Sequence, residues 1–176
     1  MANRKINMRI GEYKRYNAQP VLLAVEKWIR ILEARQRYYA YSKYLQRKYS
    51  RVAMREVYDE LSIFDWWVDE LSLTRLRQMR TFLKEAIKLG YTGYVCFKVG
   101  VEGCANGMWA NKTPTTDGYS PKGDFIYRSF TTNYTDWNAY IGGKAVTELL
   151  GKGHGDLKTA KDLENALAEV KEKEVA

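Results

Sequence analysis

The thirty residues that follow Pro20 constrain the fold more than any other segment. Residues 21–50 contain neither glycine nor proline, and they are rich in Ala, Leu, Glu, Lys, Arg and Gln, which favour helices. Proline is tolerated in the first turn of a helix, because the N–H that it lacks has no helical partner there. Apolar side chains recur at helical spacing on one face: Val21, Val25, Trp28, Leu32 and Tyr39. This pattern predicts one long helix from Pro20 to about Ser50.

The opposite face of this predicted helix carries cations and tyrosines. Spacings of three and four residues place seven side chains in one line, here called the basic stripe: Lys27, Arg30, Ala34, Arg37, Tyr41, Tyr44 and Lys48. Arg51 follows the stripe and belongs to the same candidate binding set. Cations bind phosphates and flat rings stack on bases, so the stripe predicts contact with nucleic acid. Tyrosine and arginine are also favoured anchors of protein interfaces, so an acidic protein surface is an alternative partner. The third alternative is structural, with tyrosines packed on neighbouring helices and cations that are simply solvated.

Positive charge is concentrated in the first third of the chain. The 176 residues carry a formal net charge of +8, with 29 basic and 21 acidic side chains. Residues 1–51 contain 13 basic and three acidic side chains, a net charge of +10, so the remaining 125 residues sum to −2. Concentrated positive charge raises the local concentration of polyanions and speeds encounter with them.

Further helices are predicted before Gly90. Residues 51–61 form a second helix or continue the first. Another helix begins at Ser72 or Thr74, either of which is a good N-cap, and runs to Leu89, where Gly90 ends it. Its apolar positions recur at helical spacing: Leu76, Met79, Leu83, Ala86 and Ile87.

The pattern changes to that of β-strands after Gly90. Residues 91–99 and 104–112 predict a hairpin, and the aromatic alternation in 124–141 predicts a third strand region. Beyond these, Gly142-Gly143 and residues 151–155 are predicted hinges around a short helix at 144–150. Asp156 is the predicted cap of a final helix, which either docks on the chain or mediates a homodimer.

Together these segments predict an α+β fold. A long basic N-terminal helix and further helices pack on a small antiparallel sheet, with a C-terminal helix at the end. Residues 1–89 form a basic arm and helical region, 90–141 the antiparallel region, and 142–176 a glycine-hinged helical segment. The length suits one compact domain with an appendage.

The residue types present favour a protein that is not an enzyme. A single histidine, His154, and two cysteines, Cys96 and Cys104, cannot supply the four ligands of a Cys/His zinc site. Residues 151–155 lack the residue order of a phosphate-binding loop. Neighbouring acids such as Asp59 and Glu60 lie beside arginines and lysines, which favours ion pairing over catalysis. We therefore predict no catalytic residue, no metal and no cofactor; a small nuclease with unidentified acids is the remaining enzymatic alternative.

The chain is expected to be cytoplasmic. No apolar run approaches the roughly 18 residues that a bilayer span requires, so no membrane association is predicted. The first residues lack the apolar core of a secretory signal. Two cysteines form no disulfide framework and are typical of a reducing compartment.

The short helices, the helix 72–89 and the hairpin 91–112 resemble a winged-helix DNA-binding domain. In that family the last helix before the wing enters the major groove of DNA. For this chain the resemblance implies a DNA-binding regulator that uses the cations of that helix: Arg75, Arg77, Arg80, Lys84 and Lys88.

The whole chain is similar in type to small accessory proteins of phages and mobile elements, of which anti-CRISPR proteins fit best. These proteins are short, cytosolic and often rich in tyrosine, and they lack catalytic signatures. They commonly bind a CRISPR effector nuclease or its guide RNA and block target DNA. The resemblance implies an inhibitor of a defence nuclease in a bacterial host cell, with nucleic acid or a nuclease ribonucleoprotein as partner. Because inhibitors that mimic DNA are mostly acidic, this basic chain favours contact with guide RNA or duplex DNA.

Overall fold

Helices and a five-stranded antiparallel sheet share one hydrophobic core. The computed structural model describes residues 17–38, 40, 43, 45, 49, 51–53, 70–99, 105–113, 123–130 and 136–175. Within these ranges the helices are α1 (Ala18–Tyr38), α2 (Leu73–Leu89), α3 (Val146–Leu149) and α4 (Ala160–Val175). The strands are β1 (Arg51–Ala53), β2 (Glu70–Ser72), β3 (Tyr94–Val99), β4 (Ala105–Asn111), β5 (Phe125–Ser129), β6 (Trp137–Ile141) and β7 (Lys144–Ala145). The predicted α+β fold is confirmed, including the long N-terminal helix and the C-terminal helix.

The large sheet is a meander in the order β3-β4-β5-β6-β7, and every neighbouring pair is antiparallel. One row of side chains crosses four of its strands through directly paired positions: Val95, Ala110, Ile126 and Ala139. All four are fully buried and belong to the same core as the apolar faces of α1 and α2. Successive residues of a strand point to opposite faces, so this row fixes which face of the sheet meets the helices.

Helix α2 begins and ends where its sequence predicts. The Ser72 side chain accepts a hydrogen bond from the Arg75 backbone N–H at 3.2 Å, which is the geometry of an N-cap. Gly90 has a φ of 83°, the left-handed conformation that glycine adopts readily at a helix C-terminus. Between these caps, Leu76, Met79 and Phe82 are buried. The apolar face of α2 therefore packs in the core.

The predicted helix from Pro20 to about Ser50 is interrupted after residue 38. Helix α1 ends at Tyr38, and Ala40 lies in a turn. Aromatic side chains lose rotamer freedom in a helix, so the tyrosine-rich segment favours the helix less than the preceding residues do. Lys43, Leu45 and Tyr49 are again helical, but Tyr41, Tyr44 and Lys48 lie outside the described residues. The basic stripe therefore does not follow one uninterrupted helix.

The helix predicted for residues 51–61 is wrong at its start. Residues 51–53 form β1, which pairs antiparallel with β2, with Arg51 opposite Ser72. This pairing joins segments that are distant in sequence, so helical spacing within 51–61 could not indicate it. Residues 54–61 lie outside the described residues.

The strand region predicted for residues 124–141 contains two paired strands, β5 and β6.

Two other predicted features of the second half are corrected. Gly142 and Gly143, with φ values of 59° and 82°, form a tight turn between β6 and β7 rather than a hinge. The cap of α4 is Thr159, whose side chain accepts from the Asp162 N–H at 3.1 Å while Asp162 accepts from Thr159 N–H at 2.9 Å. Asp156 instead accepts from the Gly153 N–H at 2.7 Å.

Helix α4 docks on its own chain. Leu163, Ala166 and Val170 are buried in the common core. At its edge, Lys88 Nζ of α2 lies 2.5 Å from Glu164 Oε1. Of the two roles predicted for the final helix, docking is the one that the structure shows.

Candidate functional site

The first four members of the basic stripe lie on the exposed face of α1: Lys27, Arg30, Ala34 and Arg37. On the opposite face Val25 and Leu32 are fully buried. The helix is thus fixed by its apolar side, and its cationic side faces solvent. These four residues lie along one exposed face of α1.

The two acids of α1 do not neutralise the stripe. Glu26 and Glu33 each precede a stripe arginine by four residues, a spacing that allows an ion pair within a helix. Instead, Glu33 Oε1 lies 3.1 Å from Arg77 Nη2, and Glu26 Oε1 lies 3.9 Å from Lys84 Nζ. Both acids are therefore directed toward α2.

Among the residues that the structure describes, two stripe arginines have no acidic partner. Within the described ranges, neither Arg30 nor Arg37 is ion-paired with an acid. Lys27 lies with its ammonium 5.7 Å from the centre of the Trp28 ring, a contact that leaves the positive charge in place. The exposed face of α1 is therefore a surface of net positive charge.

The cations of α2 are used differently. Arg77 and Lys84 pair with the acids of α1, and Lys88 pairs with Glu164 of α4. The Glu164 hydrogen bond raises the pKa of Lys88. Arg75 donates to the Phe130 carbonyl, and Arg80 is half-buried. Most of the cations of α2 are thus engaged in contacts with other residues of the same chain.

The hairpin that resembles a wing is part of a larger sheet. Strands β3 and β4 are the first two strands of the five-stranded meander, and β5 covers the far edge of β4. Tyr94, Val95 and Cys96 are all buried in β3. These strands thus support the core beneath the helices.

Sequence reasoning missed two residues of the exposed face of α1. The Leu23 side chain is 58% exposed and lies one turn before Lys27, in line with the stripe. Tyr38 is 72% exposed and follows Arg37. Extending the stripe spacing backward by four residues would have found Leu23. Tyrosine and arginine are among the residue types enriched at the energetic centres of binding surfaces.

The remaining predicted stripe residues are not brought together with these. Arg51 is exposed, but it lies on β1 rather than on a helical extension of the stripe. A shallow groove lies at the end of α1, lined by Glu33, Gln36, Arg37 and Ala40. The described site is therefore the surface of α1 from Leu23 to Tyr38, with this groove at one end.

The residues considered for chemistry are dispersed. Cys96 is buried, His154 is exposed, and Cys104 lies outside the described residues. In the part of the chain that the structure describes, no three His, Cys, Asp or Glu side chains are grouped so that they could hold a metal ion.

Among the described helices, none combines the length and apolar character needed to cross a bilayer.

No protein-family model, curated protein or solved structure matches the chain.

Proposed function

We propose that this chain is a non-enzymatic binding protein that engages nucleic acid or a nucleoprotein through the exposed face of α1. The observation that carries the proposal is the direction of the two α1 acids. Glu26 and Glu33 pair with α2, while Arg30 and Arg37 stay exposed without an acidic partner in the described ranges. Uncompensated exposed cations attract polyanions and bind phosphate oxygens.

The form of the surface supports a polyanionic ligand. Residues 27–37 extend over about 15 Å of helix, comparable to about four base-pair steps of a duplex. The buried face of α1 holds the helix in place in the free protein. Less conformational entropy of the helix backbone is therefore lost when the ligand binds. The exposed Tyr38 ring offers a surface on which a base or an aromatic side chain can stack.

The biological role that we propose is inhibition of a bacterial defence nuclease in the host cytoplasm. The similarity in type to anti-CRISPR proteins supports this role, and the basic surface favours guide RNA or duplex DNA as the blocked element. The alternative, a winged-helix regulator that uses α2, has less support because Arg77, Lys84 and Lys88 are ion-paired with acids of the same chain. For a small nuclease, no described cluster of acids offers support.

The test compares two double variants with the same change in charge. Arg30→Glu/Arg37→Glu reverses the stripe, and Lys158→Glu/Lys171→Glu reverses two exposed cations outside it. Fluorescence anisotropy with labelled duplex DNA and structured RNA is recorded across a salt series. We expect the wild type and the control to bind with a strong salt dependence and the stripe variant to lose most of its affinity.

The salt dependence separates phosphate contact from general attraction. Each phosphate contact contributes about 0.9 to the slope of log affinity against log salt on duplex DNA. Neutralising the stripe with Arg30→Gln/Arg37→Gln should therefore lower this slope by about 2. Equal losses in the stripe and control variants would refute the stripe as the binding surface.

A further inference from the structure

A second cationic cluster lies where α2 meets the end of β5. Arg128 of β5 donates through Nη1 to the Gln78 backbone carbonyl at 3.0 Å. Arg75 donates through Nη1 to the Gln78 side-chain oxygen at 3.0 Å and also to the Phe130 carbonyl. One residue of α2, Gln78, thus holds two guanidinium groups, here called the arginine pair.

Buried aromatic rings support both members of the arginine pair. The Arg128 guanidinium centre lies 4.8 Å from the Trp137 ring centre and 5.5 Å from that of Phe130. The Arg75 guanidinium centre lies 5.3 Å from the same Phe130 ring. Trp137 and Phe130 are at most 2% exposed, so the rings are fixed and restrict the positions of both cations.

Among the described residues, no carboxylate balances the charge of Arg128. Its contacts in the described part of the chain are the two rings and the Gln78 carbonyl, and its buried Nε has no hydrogen-bond partner. Burial, together with a smaller contribution from repulsion by Arg75, lowers the pKa of Arg128 to about 10. Partly buried guanidinium groups are ordinarily paired with an anion, because desolvation of an unpaired charge is costly.

We propose that the arginine pair is a binding site for a phosphate group. Phosphate fits because its several oxygens can accept hydrogen bonds from two planar guanidinium groups, and its negative charge removes the repulsion between them. The Nη2 of Arg128 makes no hydrogen bond within the described residues, so a donor remains for the ligand. The site is independent of the basic stripe and does not rest on the proposed function.

The first measurement follows the Arg128 Nε–H signal by NMR in the full chain. Inorganic phosphate is added in the millimolar range, with sodium chloride at matched ionic strength as the reference. We expect a saturable shift of the Arg128 signal with phosphate and none with chloride. The absence of a phosphate-specific shift would overturn the proposal.

Conservative variants test the geometry of the pair. Arg128→Lys and Arg75→Lys keep the positive charge and remove the planar fork, so each should weaken phosphate binding by about tenfold or more. Arg35→Lys on α1 is the matched control and should bind phosphate as the wild type does. Binding is measured as the rise in melting temperature when phosphate is added. This measurement can be made on any variant that unfolds cooperatively. Unchanged binding in both pair variants would refute the site.

A final comparison identifies the source of the phosphate. Single-stranded oligonucleotides with a 5′-phosphate and with a 5′-hydroxyl are bound to the wild type and to Arg128→Lys. A terminal phosphate of nucleic acid is the ligand if the 5′-phosphate strengthens binding in the wild type alone. A free phosphate is the ligand if inorganic phosphate binds and the two oligonucleotides do not differ. Both results support the site, and they are read independently of the stripe variants.

Discussion

Glu33 Oε1 of α1 lies 3.1 Å from Nη2 of Arg77 on α2, and this ion pair joins the helices that carry the two candidate cation sets. Farther along, Glu26 Oε1 lies 3.9 Å from Lys84 Nζ, which shows that the helices run antiparallel. The two acids of α1 thus form ion pairs with α2 rather than with the arginines of α1. One set of cations is thereby committed to the fold, and the other remains available to a ligand.

Removal of these acids should strengthen binding to a polyanion. Glu26→Gln/Glu33→Gln makes the surface beside the stripe more positive, so affinity for duplex DNA or structured RNA should rise. Exposed ion pairs contribute only about 0.2–1 kcal/mol each, so the free energy of unfolding should fall little. Fluorescence anisotropy and urea denaturation measure the two quantities. Glu172→Gln/Glu174→Gln on α4 is the charge-matched control, and weaker binding by the α1 variant than by this control would contradict the role of the stripe.

Substitution of two leucines of α1 should have different effects on stability and on binding. Leu32 is fully buried, so Leu32→Ala should leave a cavity and lower the free energy of unfolding by about 2–5 kcal/mol. Leu23 is 58% exposed, so Leu23→Ala should change it by less than about 0.5 kcal/mol while weakening ligand binding. Chemical denaturation and anisotropy on both variants check this separation. A stability loss at Leu23 as large as that at Leu32 would mean that Leu23 packs on the fold rather than on a ligand.

Local patterns predicted the parts of the fold that depend on neighbouring residues. Helix α2 follows from its apolar spacing, the Ser72 cap and the left-handed Gly90. The exposed line from Lys27 to Arg37 follows from the same periodicity. Such features depend on side chains within a few residues of one another, so they can be predicted without knowledge of the tertiary structure.

Features that depend on distant partners could not be predicted in this way. The pairing of Arg51 with Ser72 turns a predicted helix into a strand. The pairing of Glu33 with Arg77 leaves Arg37 exposed without that acid, although spacing alone would allow a Glu33–Arg37 pair. The arginine pair joins residues 75 and 128, and no local pattern indicates that they meet. The charge that the candidate site offers to a ligand could therefore be established only from the three-dimensional structure.

Gly107 of β4 is expected to tolerate no side chain. A Cβ at this position would lie 2.9 Å from the Tyr127 hydroxyl and 3.0 Å from the Arg128 carbonyl oxygen on the neighbouring strand. Gly107→Ala should therefore lower the free energy of unfolding by about 1–3 kcal/mol, because strand β5 must shift. Gly155→Ala, where a Cβ meets no atom within 4 Å, is the control. The melting temperatures of both variants are measured by thermal unfolding. Equal melting temperatures would show that β5 accommodates the added methyl group without strain.

A pair of glutamates between α2 and α4 should make stability depend on pH. Burial raises the pKa of Glu85 to about 7, and its hydrogen bond with Glu164 acts in the same direction. The same hydrogen bond, together with Lys88, lowers the pKa of Glu164 to about 2. Lys88 and Lys161 also oppose the rise at Glu85, but burial and the second carboxylate outweigh them. Over the range between these two values, one proton is shared by the pair and is held mainly by Glu85.

The sign of the effect differs on the two sides of pH 4.5, the ordinary value for a glutamate. Between about 4.5 and 7 the folded chain keeps the Glu85 proton that the unfolded chain has lost, so stability falls as the pH rises. Below 4.5 the Glu164 carboxylate resists protonation in the folded chain, so stability falls as the pH drops toward 2. The contribution of this pair to stability is therefore greatest near pH 4.5.

Glu85→Gln tests this sign directly. The amide is neutral at every pH and can still donate to the Glu164 carboxylate, so the decline above pH 4.5 should disappear. We expect the melting temperature of the wild type to fall between pH 5 and pH 8 by at least about 3 °C more than that of the variant. Circular dichroism melts at the two pH values measure this difference, and Glu148→Gln on α3, where the side chain is exposed, serves as control. Parallel declines in the wild type and Glu85→Gln would show that the Glu85 proton does not link α2 to α4.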